Sequence, residues 1–196
     1  NKWIDKIQAQ TDKMRDLVND LVTLSRMDEE RPPVIMADFD ISAAVAETAD
    51  SFEDSAQAAG LTLEQDIESG LSCHGDEAQI RQLCSILLDN AMKYAAAGTP
   101  VGLLLRREGR GALLQVENRG ETIPAEKLPH LFDRFYRVDE SRTGGEGFGL
   151  GLAIAQSIMQ THGGSIGCTS AEGVTRFTVT LPLLKNDSVK RGQDGC

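Results

Sequence analysis

Two adjacent prolines, Pro32 and Pro33, divide the chain into stretches that fold by different rules. Proline lacks a backbone N–H and clashes with the preceding turn, so no helix runs through the pair. Upstream, residues 3–28 (WIDKIQAQTDKMRDLVNDLVTLSRMD) read as one long helix. Ile4, Ile7, Thr11, Met14, Val18, Leu21 and Ser25 recur in steps of three and four, the seam of a coiled coil or helical bundle. Leu17 and Leu24 widen the stripe, so more than one partner face is expected. A single helix cannot bury its own seam. Its partner is expected from chain upstream of residue 1 or from a second copy.

Downstream, helical and strand periodicities alternate without a regular βαβ repeat. ADFDIS (37–42) reads as a short strand whose last residue, Ser42, caps a helix. That helix is expected to run to about Ala59 and stop at Gly60. LTLEQDI (61–67) alternates like a half-buried strand. Asp76 reads as the N-cap of a helix over 77–96, with Ile80, Leu83, Cys84, Leu87, Leu88 and Ala91 on its apolar side. VGLLLRRE (101–108) and ALLQVEN (112–118) read as antiparallel strands joined at a GRG turn. Residues 120–148 carry little pattern; a long irregular segment inside a compact unit is often functional, for example a lid. A helix over 149–161 and strands over 165–170 and 174–182 follow, then a polar tail.

This order predicts an α+β fold: a two-layer α/β sandwich with a mixed, mostly antiparallel sheet and helices on one face, preceded by one long coiled-coil-like helix. The expected units are 1–30, 31–184 and a disordered tail over 185–196.

Charge narrows the function. The formal net charge is −10, which argues against broad nucleic-acid binding and against docking on an anionic membrane. A site for a polyanion must therefore be locally basic, or use a metal and backbone N–H groups. No apolar run approaches the ~20 residues of a membrane helix. The cysteines at 73, 84, 168 and 196 form no CxxC and no Cys/His metal spacing, and reduced thiols are expected.

Four stretches carry chemistry. In LLDNAMKYA (87–95), Asn90 and Lys93 lie three apart on one helix face. An oxygen for Mg²⁺ and an ammonium for a phosphate is one reading; a solvated surface is the other. In LLQVENRGETIP (113–124), a strand ends at Asn118, whose oxygen suits an exocyclic amine, or whose identity merely suits a turn. In LPHLFDRFYRVDESR (128–142), Phe132, Phe135 and Tyr136 are interleaved with Arg134, Arg137 and Arg142. The aromatics can anchor a loop while a planar guanidinium grips phosphate oxygens. Finally, GGEGFGLG has glycines at 144, 145, 147, 149 and 151 just before an apolar helix, an arrangement that cradles phosphates on backbone N–H groups or serves as a hinge.

In this order the stretches resemble the ATP-binding catalytic domain of two-component sensor histidine kinases, within the wider group of gyrase-type ATPases and Hsp90 chaperones. SILLDNAMKYA is similar to the N box, VENRGETIP to the first glycine box and LFDRFYRVD to the F box. GFGLGLAIAQSIMQTHGG is similar to the second glycine box, and EGVTRFTVTLP to the last glycine-threonine strand. MRDLVNDLVTLSRMD resembles the second helix of the dimerisation and phosphotransfer hairpin.

The resemblance implies that Asn90 binds Mg²⁺ and that Lys93 contacts phosphate. Tyr94, Ile123, Phe135 and Leu152 would line the nucleotide pocket. Asn118 stands where the family places its adenine-binding Asp, and Gly120 is the following glycine. Arg134 and Arg137 would reach the terminal phosphates on lid closure. Gly147, Gly149, Leu150 and Gly151 would wrap the phosphates, and Thr175 would lie beside the adenine. Ile86 stands where a polar residue is common, and Val174 replaces a usual glycine.

The resemblance also implies ATP and Mg²⁺ as ligands and a phosphoacceptor His upstream of residue 1. It implies a response-regulator partner, a homodimer in the full protein, and a cytoplasmic location in a parent anchored in the bacterial inner membrane. None of His74, His130 and His162 lies on the seam helix. Two alternatives stay open. One is a regulatory or interaction module of the same fold that holds nucleotide poorly, which ATP binding would discriminate. The other is a serine protein kinase of the ATPase group, which the seam helix argues against.

Overall fold

The computed structural model describes residues 2–27, 34–138 and 148–184; Gly147 and the tail 185–196 lie outside them. The first element is the long helix α1, Lys2–Met27. Its expected seam is exposed at Ile4, Ile7, Met14, Val18 and Leu21, whereas Leu17 rests against the core of the rest of the chain.

The sheet follows from strict alternation. β2 (Thr62–Ile67), β4 (Pro100–Glu108), β5 (Gly111–Arg119), β7 (Val174–Pro182) and β6 (Ser165–Ala171) lie side by side in that order. β2 and β4 are parallel, and the other neighbours are antiparallel. Every second residue of the central strands points inward: Val101, Leu103 and Leu105; Ala112, Leu114 and Val116; Phe177, Val179 and Leu181. Successive side chains of a strand alternate faces, so this one set defines the core side. The opposite face is mixed: Arg176 pairs with Glu117 across β7 and β5, beside the half-buried Leu104 and Leu113.

Three helices cover the inward face: α2 (Ile41–Asp50), α4 (Glu77–Tyr94) and α5 (Gly151–Thr161). The residues expected on the apolar side of α4, from Ile80 to Ala91, are all buried. Each fully buried Leu, Ile or Val stabilises by roughly 1.5–3 kcal/mol relative to exposure, so the 3.6-residue stripe docks α4 firmly. Asp76 caps it, accepting from the Gln79 N–H at 3.2 Å.

Two local expectations are corrected, and a third element goes beyond them. Ser42 is not the cap of α2: Asp40 is, accepting from the Ala43 N–H at 2.9 Å. Ser42 instead sits buried in the first turn, where its hydroxyl donates to Glu68 O at 2.6 Å and accepts from the Leu71 N–H at 3.0 Å. Second, the helix expected to reach Ala59 breaks at Ser51 and Phe52 and resumes as α3, Glu53–Ala58. Phe52 packs on the core at the break. Third, Ser72–Gly75 forms β3, paired antiparallel with β1 (Ala37–Asp40) in a separate two-stranded sheet. Four residues are too few to show alternation, and β1 supplies the partner from 35 positions away along the chain.

Candidate functional site

α4 and α5 run antiparallel. The start of α5 meets Ile86 in the middle of α4, since a Cβ on Gly151 would lie 3.3 Å from Ile86 Cγ2. The far end of α5 meets the start of α4, where His162 accepts from the Asp76 N–H at 2.9 Å. Between α4, the ends of β5 and β7 and the irregular segment 120–138 opens a cleft of about 910 Å³. That is the size of a pocket for a small molecule.

Two glycines shape its rim by what they lack. A Cβ on Gly120 would sit 2.3 Å from the carbonyl oxygen of Tyr94, the last residue of α4. The bare backbone lets that helix end close on the loop after β5, where the Ala96 N–H donates to Arg119 O at 2.6 Å and the Gly120 N–H to Gly173 O at 2.8 Å. Gly149 has φ +74°, which favours glycine, and a Cβ there would lie 2.6 Å from Tyr136 O and 2.8 Å from Phe135 C. Gly149, just before α5, thus lies directly on the aromatic–arginine segment. The Phe135 N–H donates to Gly149 O at 2.9 Å, and Phe135 itself is held at φ +64°, an uncommon conformation for a bulky residue.

The floor is a hydroxyl–amide cluster. Asn118 on β5 and Thr175 on β7 face each other across the ladder, and both are buried. The Thr175 and Ser170 hydroxyls lie 2.9 Å apart, and Ser170 Oγ accepts from the Ile123 N–H at 2.9 Å. Thr122 Oγ1 accepts from the Gly173 N–H at 2.8 Å. Asn118 is only 2% exposed, yet no protein group bonds its side-chain amide among the described residues. The amide borders the cleft and is not sealed from it, so its polar atoms face the space a ligand would fill.

Most of the residues singled out in the sequence meet at this cleft. Asn90, Lys93 and Tyr94 line it from α4, and Asn118, Gly120 and Ile123 from β5 and the loop beyond. Arg137, Gly149, Gly151, Leu152 and Thr175 line it too. Lys93 Nζ lies 5.4 Å from the centre of the Tyr94 ring. Three do not reach it. Leu150 is fully buried in the core just before α5, Phe135 is 61% exposed on the outside of its turn, and Arg134 is exposed outside the lining. Gly147 lies outside the described residues.

Sequence reasoning missed Asp89, Thr122, Lys127 and Phe148, which also line the cleft. Asp89 lies four residues before Lys93, so their shared helix face was legible. Lys127 donates to Val138 O at 2.8 Å and comes from a stretch with no periodicity to read. Among the described residues no cluster of three His, Cys, Asp or Glu side chains could hold a metal. A cation here would take most of its ligands from elsewhere. That fits Mg²⁺, which binds through one or two protein oxygens plus substrate phosphates and water.

Known proteins share this arrangement. The chain is 32% identical over 183 residues to the sensor protein DltS of Streptococcus agalactiae serotype V, covering 93% of this chain and 46% of DltS. It is 36% identical over 171 residues to the sensor histidine kinase CusS of Escherichia coli K12, covering 87% of this chain and 35% of CusS. The chain thus spans less than half the length of these relatives. The solved structure of the Acinetobacter baumannii histidine kinase AdeS superposes with a TM-score of 0.76 at 27% identity, covering 92% of this chain and 83% of that one. Residues 75–185, which run from the end of β3 past the end of β7 and supply most of the cleft, match one family as a unit. The chain therefore belongs to the histidine kinase-, DNA gyrase B- and HSP90-like ATPase family.

Proposed function

We propose that the cleft binds ATP with Mg²⁺ and that the chain is the kinase portion of a sensor histidine kinase. In this reading residues 31–184 form the nucleotide-binding unit and residues 1–30 part of the phosphotransfer hairpin. The observation that carries it is the layout of the cleft. The Asn118 amide borders it at the floor, and Asn90, Lys93 and Arg137 stand on its walls.

The base would sit against Asn118 and Thr175, beside Ile123. The phosphates would run toward Asn90, Lys93 and the start of α5, whose N-terminal N–H groups favour anions. Asn90 would offer its side-chain oxygen to Mg²⁺, which when bound neutralises phosphate charge. Arg137 already lines the cleft, whereas Arg134 would reach the phosphates only after its segment rearranges. The transfer breaks the bond between the γ-phosphorus and the bridging oxygen of ADP. It forms a bond to an imidazole nitrogen of a His on an upstream helix, and the imidazole proton passes to solvent. Such transfer is governed by positioning and charge stabilisation. An aspartate of a response regulator would then take the phosphoryl group. The exposed seam of α1 supports pairing with that upstream helix and a homodimer in the full protein. Among the described residues no helix is long and apolar enough to cross a membrane. We place the unit in the cytoplasm of a membrane-anchored parent.

The test is calorimetric titration of ATP, with and without Mg²⁺, into the chain and into Asn90→Ala. Magnesium-dependent binding that is lost in the variant supports the reading. Absence of ATP binding to the unmodified chain selects a nucleotide-free regulatory module. Ile86 favours that second reading, because it puts an apolar side chain into the cleft one turn before Asn90.

A further inference from the structure

The closed end of the cleft presents two polar side chains, and neither has a fixed donor or acceptor sense. The Asn118 amide is buried but bonded to no protein group among the described residues. Its terminal torsion is broad and two-fold. A half-turn exchanges the carbonyl oxygen, an acceptor, for the NH₂, a donor. Thr175, opposite it in register, meets the Ser170 hydroxyl at 2.9 Å, and either hydroxyl can be the donor. Ser170 Oγ already accepts from the Ile123 N–H but keeps a second lone pair, so both directions of that bond are open.

Three backbone donors around this pair are engaged. The Gly120 N–H is used by Gly173 O, the Ile123 N–H by Ser170 Oγ, and the Gly173 N–H by Thr122 Oγ1. The polar edge of a base seated here would be read by groups whose sense is reversible.

Adenine presents an amine donor at C6 beside a ring-nitrogen acceptor. A 6-oxopurine presents the reverse, a carbonyl acceptor beside an N–H donor. A carboxylate at position 118 could only accept, and would set its lone pairs against the 6-oxo oxygen. An amide meets either edge by turning over. Sites that discriminate strongly do so because the wrong ligand leaves a buried group unpaired, and a reversible amide removes that penalty.

We infer that the cleft accepts 6-oxopurine nucleoside triphosphates as well as ATP, with Asn118 as the residue that permits it. The inference rests on the reading of the cleft as a nucleotide site. Inosine 5′-triphosphate is the suitable probe, because it reverses the base edge without adding the 2-amino group of guanine.

The experiment is calorimetric titration of ATP and of inosine 5′-triphosphate, each with Mg²⁺, into the unmodified chain and into Asn118→Asp. For the unmodified chain the two dissociation constants are expected within about tenfold of each other. The Asp variant is expected to keep ATP within about tenfold and to weaken the inosine nucleotide by roughly a hundredfold or more. If ATP binds the unmodified chain and the inosine nucleotide is a hundredfold weaker, the amide is held in one sense and the inference falls. If the ratio is the same in the folded Asp variant, Asn118 is not the determinant and the assignment falls. If neither nucleotide binds, the nucleotide reading of the cleft falls first and this inference with it. Should the variant not fold, as read by circular dichroism, the unmodified chain alone still decides.

Discussion

The backbone N–H of Asp76 donates to Nε2 of His162 at 2.9 Å, joining the first turn of α4 to the residue that ends α5. The imidazole is used at both nitrogens, because Nδ1 donates to Ile158 O at 2.8 Å. The Asp76 carboxylate in turn accepts from the Gln79 and Ile35 N–H groups. One buried histidine thus ties together both helices that flank the cleft and the segment leading in from α1. A Cβ on Gly75 would lie 2.6 Å from the ring, so the neighbouring strand is shaped around it.

His162→Ala should therefore lower stability by about 2–4 kcal/mol, through a lost buried contact and an orphaned Asp76 N–H. Urea unfolding at neutral pH measures it. His130→Ala is the contrast: that imidazole is exposed, paired with the exposed Asp133 and beside the Tyr136 ring at 5.6 Å, so the change should stay within about 0.5 kcal/mol.

Thr175→Val keeps the shape of the cleft floor and removes one hydroxyl. Ser170 keeps its bond from the Ile123 N–H but loses its 2.9 Å partner. Stability should fall by about 1 kcal/mol, and ATP affinity by about five- to tenfold. Thermal unfolding and calorimetry on the same sample separate the two effects.

The thiols give an alkaline limit. Burial pushes Cys84 up to about 12, and burial together with the nearby Asp38 charge pushes Cys73 up to about 12. An unfolded thiol ionises near 8.5. A folded value above the unfolded one means a stabilising contribution that is complete below about pH 8.5 and is lost as pH rises toward about 12. Urea midpoints should fall between pH 8 and pH 10.5 for the unmodified chain. They should fall less for Cys84→Ala, which starts lower because of its cavity but carries one fewer buried thiol. At pH 8 the folded chain should also react slowly with thiol reagents at Cys73 and Cys84.

Where one period governed many residues, the sequence was readable. α4 followed from its six buried apolar positions and the Asp76 cap, and the hairpin of β4 and β5 from alternation about a short turn. The helix α1 followed from the same period, and Ile4, Ile7 and Val18 of its apolar stripe are exposed. β3 was not legible, since its four residues become a strand only when β1 lies beside them. At the cleft, Asn90 and Asn118 were singled out from their place on regular elements and Thr175 through the family resemblance, and all three line it. Phe135 and Leu150 show the limit of proximity in sequence. A left-handed backbone turns the first outward, and the start of α5 one residue later commits the second to the core. Thr122 and Lys127 come from irregular backbone, whose path is set by tertiary bonds such as Lys127 Nζ to Val138 O.

Two glycines at the same end of the β4–β5 ladder give the sharpest contrast in tolerance. Gly120 follows β5 and has the Tyr94 carbonyl oxygen where its Cβ would go, at 2.3 Å, with the carbonyl carbon at 3.4 Å. Neither is the end of a flexible side chain, so Gly120→Ala must push the end of α4 away from the loop. Overpacking of this kind costs about 1–3 kcal/mol. It also displaces Tyr94 and Asn118, which border the same cleft. Gly102 on β4 meets only Glu117 Cβ at 3.9 Å, an ordinary contact, and lies on the mixed face of the sheet. Gly102→Ala should be neutral or slightly stabilising, because alanine gives up less backbone entropy on folding. Thermal denaturation should separate the two by several degrees, and ATP titration should show weakened binding only in Gly120→Ala. Equal stability of the two variants would mean that the helix end and the loop are not in the close contact that shapes the cleft.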